Sequence, residues 1–175
     1  MKYIRQFMTI TKRKILITAI AGILLLGLYS LIFSFSAQDA EESGSLSRMI
    51  SERCVEIINQ LSGSHWSDAV MESFAEYFEH PIRKLAHFAE YACMGILVYI
   101  LWVQWITRGK VLCVLTVVWV FCSAAADEFH QLFVPGRYGS FADVLLDTAG
   151  GFFGMVMCIV VKKCYQKCRW KRRMK

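Results

Sequence analysis

Apolar residues fall into four long runs separated by short polar stretches. A bilayer core of about 30 Å needs roughly 20 helical residues to cross it. Segment 15–35 carries no charge and is long enough by itself. Segment 85–105 reaches the same length with His87 and Glu90 near one end. Segment 111–126 falls short and must borrow the polar residues up to about 130, while 141–161 opens with Asp143 and Asp147. Between the first two runs, Leu46, Met49, Ile50, Cys54, Ile57, Ile58 and Leu61 recur at helical spacing, with Ser43 or Ser45 as cap and Ser62 and Gly63 as stop. Trp66, Val70, Met71, Phe74, Tyr77 and Phe78 repeat that pattern, and Pro81 stands after them as a second stop. The pattern predicts an all-α membrane protein of about four transmembrane helices, near 15–35, 85–105, 111–130 and 141–161. Two short amphipathic helices, near 45–61 and 66–79, occupy the first external segment.

Composition agrees: 56% of the chain is hydrophobic, as in a small membrane bundle with little soluble mass. A cleaved secretory signal has an apolar core of about 7 to 15 residues, so the longer run at 15–35 reads as a retained anchor. The apolar faces of the two external helices need cover, from the bilayer interface, a partner or the bundle. A lid over the bundle's outer end would also shelter the polar groups there.

Charge sets the orientation. All 14 acidic residues lie between Asp39 and Asp147, and 15 of the 20 Lys and Arg residues lie in residues 1–14, at Arg108 and Lys110, or in 162–175. Basic flanks stay in the cytoplasm. The expectation is a multi-pass plasma-membrane protein with a cytoplasmic basic N-terminus (1–14), a membrane domain (15–161) and a cytoplasmic basic tail (162–175). The net charge of +6 is thus an orientation signal, and no nucleic-acid partner is expected.

The seven cysteines are odd in number, and only Cys54 falls in an external segment, so no internal disulfide is expected there. Cys164 and Cys168, four apart, are weak evidence for metal, and the cysteines read as structural.

Candidate chemistry collects where the spans meet the outer face. Arg83, His87 and Glu90 are spaced four and three apart and share a helix face. Asp127 and Gln131 share another, with His130 within helical reach, and Asp143 and Asp147 share a third. Structural roles compete with function for each. Ser140 and Asp143 have the spacing of a capping box, and Arg83 and Lys84 can anchor at the interface. His130 can be an exposed helix-end histidine. Gly150, Gly151 and Gly154 can serve close helix packing. Glu90, Asp127 and Asp147 are carboxylates where lipid should be. Such groups are functional by default, unless they form a buried set that holds helices together, with His87 as partner to Glu90.

At these residues the chain resembles the VanZ-like family of bacterial membrane proteins. The matching pieces are Phe33, Ser34, Phe35, Ser36 and Gln38; Arg83, Lys84, His87, Phe88, Glu90 and Tyr91; Asp127, Glu128 and Gln131; and Pro135, Gly136, Arg137, Ser140, Asp143 and Gly150. The resemblance implies a small multi-span protein of the cell envelope, mostly of Gram-positive bacteria. Its namesake is associated with reduced teicoplanin susceptibility without remodelled peptidoglycan precursors. It implies no catalytic assignment.

Three functions are open. In the first, a non-enzymatic membrane protein uses Arg83, Lys84, His87, Glu90, Asp127, Gln131, Arg137, Asp143 and Asp147 to bind a lipid-linked cell-wall precursor or a lipoglycopeptide. In the second, a membrane enzyme modifies a lipid headgroup, with His87, Glu90 and Asp127 as acid, base and orienting groups. A metal version would add His130, but neither helix has the two-histidine spacing of a strong zinc motif. In the third, a small transporter uses the buried carboxylates as relays. The first is favoured, with membrane lipids as partners, an oligomer left open, and no cofactor or metal.

Overall fold

A computed structural model describes the backbone of residues 2–174, and the side chains of residues 9–39, 42–172 and 174. The side chains of Lys2, Arg5, Arg173 and Lys175, counted among the basic flanks, lie outside that set. The described chain is five helices without a strand: α1 (Lys2–Ser36), α2 (Ala40–Ser62), α3 (Asp68–Val103), α4 (Gly109–Gln131) and α5 (Phe141–Arg173). Four of them contain stretches long and apolar enough to span a membrane: Thr9–Ser36, Asp68–Val103, Gly109–Gln131 and Phe141–Arg172. The protein is a multi-pass membrane protein. The end of the bundle that carries α2 and the start of α3 is called here the hairpin side.

The expected second amphipathic helix is not a separate element. Residues 68–79 form the first turns of α3, which runs through Pro81 into the span. A proline removes one intrahelical hydrogen bond, here to the carbonyl of Tyr77. Both residues are exposed, so the freed carbonyl lies at the surface and the helix is not forced to stop. At 1.5 Å per residue the 36 residues of α3 extend about 54 Å, well beyond a bilayer core. The excess projects from the hairpin side and pairs with α2.

The buried face of α2 also differs from the apolar face read in the sequence. The helix begins at Ala40, where the Asp39 carboxylate accepts the amide of Glu42 at 2.8 Å. Asp39, rather than Ser43 or Ser45, is therefore its cap. Ser47, Ser51 and Val55 are buried, and Ala75 of α3 is buried opposite. The Ser51 hydroxyl donates to the Ala75 carbonyl, and Arg48 bridges Glu52 at 3.2 Å and Glu72 at 3.0 Å. A narrow stripe of small residues lets the two helices approach closely. Met49, Ile57, Ile58 and Leu61 remain exposed. Only the first half of α2 roofs the bundle, where Leu46 and Ile50 line a small cavity with Arg83, His87 and Arg137.

Within the membrane α3 is central and touches α1, α2, α4 and α5. Its contact with α5 is the most extensive, and glycines make it possible. A Cβ at Gly95 would collide with the backbone of Gly151, one at Gly150 with the backbone of Phe88, and one at Gly154 with the backbone of Ala92. The pairs Lys84–Asp143, Phe88–Gly150 and Ala92–Gly154 rise together along both helices, so α3 and α5 run parallel. Tyr91, Met94, Val98, Val120, Ala124 and Val144 form the core beside this crossing, with Leu25 and Ile32 of α1 against it. Nearer the termini, Tyr99, Leu112 and Met155 form a second cluster. On that side Trp105 donates to Thr18 at 2.9 Å and fastens α1 to the α3–α4 turn.

In lipid no hydrophobic effect presses helices together, so close backbone contact carries the association. Gly154→Leu must therefore separate α3 from α5, at a cost of about 1–3 kcal/mol or more from overpacking. Unfolding by denaturing detergent checks this: the Gly154→Leu midpoint falls clearly, whereas Gly22→Leu, with nothing within 4 Å of its Cβ position, leaves it in place.

Candidate functional site

The polar cluster is assembled by the α3–α5 crossing together with the α4–α5 loop. On α3, Arg83 pairs with Glu79 at 2.8 Å and Lys84 with Asp143 of α5 at 2.7 Å. The second pair replaces the expected capping box. The Ser140 side chain makes no cap hydrogen bond; its amide goes to Glu128 instead of Asp143, and the Asp143 carboxylate is held across the helix interface by the ammonium of Lys84. His87 and Glu90 face each other with Nδ1 to Oε2 at 3.8 Å, too far for a hydrogen bond, and His87 Nδ1 is buried without a partner.

On α4, successive residues point into different compartments. Gln131 donates a long 3.4 Å hydrogen bond to Asp127. Glu128, 7% exposed, accepts the backbone amide of Ser140 at 2.7 Å. It thereby ties the end of the loop to α4. This carboxylate was seen in the sequence only as part of a resemblance, since its partner is a backbone amide 12 residues away.

The loop turns at Gly136, whose φ of 72° lies in the left-handed region that favours glycine. That turn sends Arg137 back over the bundle, where its Nη2 donates to the carbonyl of Phe35 at 3.0 Å. Phe35 lies in the last turn of α1, whose carbonyls lack intrahelical partners and favour a cation. The matched residues after the first span thus acquire roles. Phe33 packs on the His130 ring at 4.8 Å between centroids. Ser36 is fully buried, its hydroxyl facing the Asp127 carboxylate without completing a hydrogen bond. His130 is therefore half-buried against α1 rather than exposed at a helix end.

Arg83, Lys84, His87, Gln131, Arg137, Asp143 and Asp147 line one cavity of about 290 Å³. Asp147 is 1% exposed, and its Oδ1 has no hydrogen-bond partner. Glu90 lines the smaller cavity under α2, which shares Arg83, His87 and Arg137 with the first. Asp127 lies apart from both, against a third hollow between α1 and α4. The site residues inferred from sequence thus gather at one end of the bundle but divide among three spaces.

The two arginines decide what the largest polar space can hold. Their Nε atoms are both buried without hydrogen-bond partners. Burial and the nearby Arg83 guanidinium both push the Arg137 pKa down from its usual value. Two guanidinium groups facing one cavity repel each other, and an anion between them would relieve that repulsion and take up the free N–H groups. Among the described residues, no group of three or more His, Cys, Asp or Glu side chains is arranged to hold a metal ion. The alternative set of His87, Glu90, Asp127 and His130 therefore does not converge.

The family model VanZ/LLP1 matches residues 21–162, a stretch that contains every one of these side chains. The chain belongs to the VanZ/LLP1 family. No curated protein and no solved structure matches it. The VanZ/LLP1 match ends at residue 162, within α5, and includes the loop that carries Arg137.

Glu128→Ala leaves the Ser140 amide without its acceptor, a loss of about 1–3 kcal/mol for a buried group. The expected result is much faster hydrogen exchange at Ser140, with no change along residues 94–98 of α3. Equal exchange at Ser140 in both proteins would show that Glu128 does not hold the loop.

Proposed function

We propose that this VanZ/LLP1 protein is a non-enzymatic protein of the plasma membrane that binds the anionic head of an amphiphilic cell-envelope molecule. The molecule is a lipid-linked cell-wall precursor or a lipoglycopeptide such as teicoplanin. The observation that carries the reading is the pair of guanidiniums, Arg83 and Arg137, with free buried Nε atoms beside one polar cavity. A phosphate or carboxylate there receives charge-assisted hydrogen bonds from both, each stronger than a neutral one. Lys84, already paired with Asp143, adds positive potential at the rim. Gln131 and the buried Asp147 offer hydrogen-bonding groups for the sugar or amide part of the head.

The orientation follows from the basic flanks: both termini lie in the cytoplasm, and the hairpin side, with the cavity, faces outward. That is the side on which a lipoglycopeptide meets its lipid-linked target. The resemblance to the namesake of the family supports the same choice of ligand.

Susceptibility in a Gram-positive host tests the reading. The wild type is expected to reduce teicoplanin susceptibility and leave vancomycin susceptibility unchanged. Arg137→Ala loses that protection at equal membrane levels by immunoblot. Loss of one charge-assisted contact of about 1.5–3 kcal/mol weakens binding by about tenfold or more. Arg137→Lys keeps the charge without the fork and is expected to recover part of the protection. Full protection by Arg137→Ala would sink the proposal.

A further inference from the structure

Between α1 and α4 the bundle is open. The two helices barely touch, and the gap is bridged by side chains: the Tyr29 hydroxyl bonds to Ser123 and accepts the Trp119 indole N–H at 2.9 Å. The hollow has a volume of about 660 Å³ and extends along α4 from Leu115 to His130. Those positions span about 22 Å at 1.5 Å per residue, most of a bilayer core.

The lining is graded. At the end nearer the termini, Trp102 and Trp119 close the hollow with rings packed edge to face, 6.0 Å apart. In the middle Cys122, Ser123 and Ala126 leave space. Small residues on a spanning helix ordinarily let another helix approach, yet here they face a void within the chain. At the hairpin side the hollow ends on the Asp127 carboxylate and the His130 imidazole. Apolar at one end and polar at the other, it has the character of an amphiphile seen from outside. The Tyr29–Ser123 bridge crosses it, so an inserted helix of about 10 Å diameter does not fit, whereas the hollow itself continues on both sides of the bridge, from Leu115 to His130.

We propose that the α1–α4 groove holds one hydrocarbon chain of a membrane lipid, entered sideways from the bilayer, with the lipid's polar end at Asp127 and His130. Asp127 is hydrogen-bonded to Gln131, which lines the polar cavity. A lipid with its chain in the groove therefore has its head one helical turn from Gln131, which lines the cavity of the arginine pair. The placement of the head deepens the reading above and rests on it; the placement of the chain does not.

The test uses the full chain in nanodiscs of phosphatidylglycerol doped with phosphatidylglycerol that carries a diazirine on one acyl chain. Illumination and peptide mapping are expected to place adducts on residues 115–126 and 29–33, about tenfold above the exposed Phe152, Phe153 and Met157 of α5. Ala126→Trp and Cys122→Phe, which fill the groove, each reduce the adducts on 115–126 by about tenfold, while Phe153→Trp on α5 does not. Two groove variants guard against one that fails to fold, and size exclusion confirms that each remains monodisperse. Adducts spread evenly over all lipid-facing segments overturn the proposal. So does a Cys122 disulfide between copies that forms under mild oxidant and abolishes the adducts, because the occupant is then a second copy. Adducts that persist when Arg137→Ala leaves teicoplanin protection intact uphold the groove and remove the head-group reading. Loss of the adduct preference with Arg137-dependent protection intact does the reverse.

Discussion

Apolar helices gain nothing from leaving lipid for one another, so this bundle depends on a contact that lipid cannot imitate: backbone against backbone at the α3–α5 crossing. Gly95, Gly150 and Gly154 leave no room for a Cβ there, and dispersion between closely packed atoms holds the two helices. The same contact fixes their register. With Phe88 against Gly150 and Ala92 against Gly154, the next turns toward the hairpin side bring Lys84 to Asp143. The polar site is a consequence of a packing event one to two turns deeper in the membrane.

That dependence explains why polar groups can be kept inside a bilayer at all. A charged side chain on a lone spanning helix costs several kcal/mol. Here α3, α4 and α5 share the cost among themselves. Glu128 is occupied by the Ser140 amide, Asp143 by Lys84 and Glu79 by Arg83. What is left over at this end includes buried nitrogens on Arg83, Arg137, His87 and His130, the Ser36 hydroxyl and a buried oxygen on Asp147. The loop contributes one of these by a single backbone device, the left-handed Gly136, which returns Arg137 to the last turn of α1.

Much of the fold was legible because membrane spans are written in composition. Twenty apolar residues admit few alternatives, and the four runs became four spanning helices. The residues placed at the hairpin-side end of the spans also came together, since helical spacing alone puts Arg83, His87 and Glu90 on one face. Less legible were features decided by tertiary context. Pro81 looked like a stop, yet an exposed proline costs a helix only one bond that water replaces. The face of α2 with the most apolar residues is not its buried face, because the narrow stripe of Ser47, Ser51 and Val55 permits closer approach than Ile57 or Leu61 would. Ser140 and Asp143 had the spacing of a capping box, but a cation on another helix competed for the carboxylate. Glu128 had no local signal at all.

The division of α4 is the step that joins these observations. At 3.6 residues per turn the neighbours Asp127 and Glu128 diverge, Asp127 toward the α1–α4 hollow and Glu128 toward the loop, while Gln131, one turn on from Asp127 and hydrogen-bonded to it, reaches the cavity of the arginine pair. One turn of helix thus borders an apolar space open to lipid, a structural tie and a polar space with free cationic donors. A soluble protein would close such a hollow by hydrophobic collapse. In a bilayer no hydrophobic force closes it, since lipid chains are as apolar as the walls of the hollow. The gap between α1 and α4 is therefore stable as a gap, and its polar end is set by the turn that also lines the cation-bearing cavity.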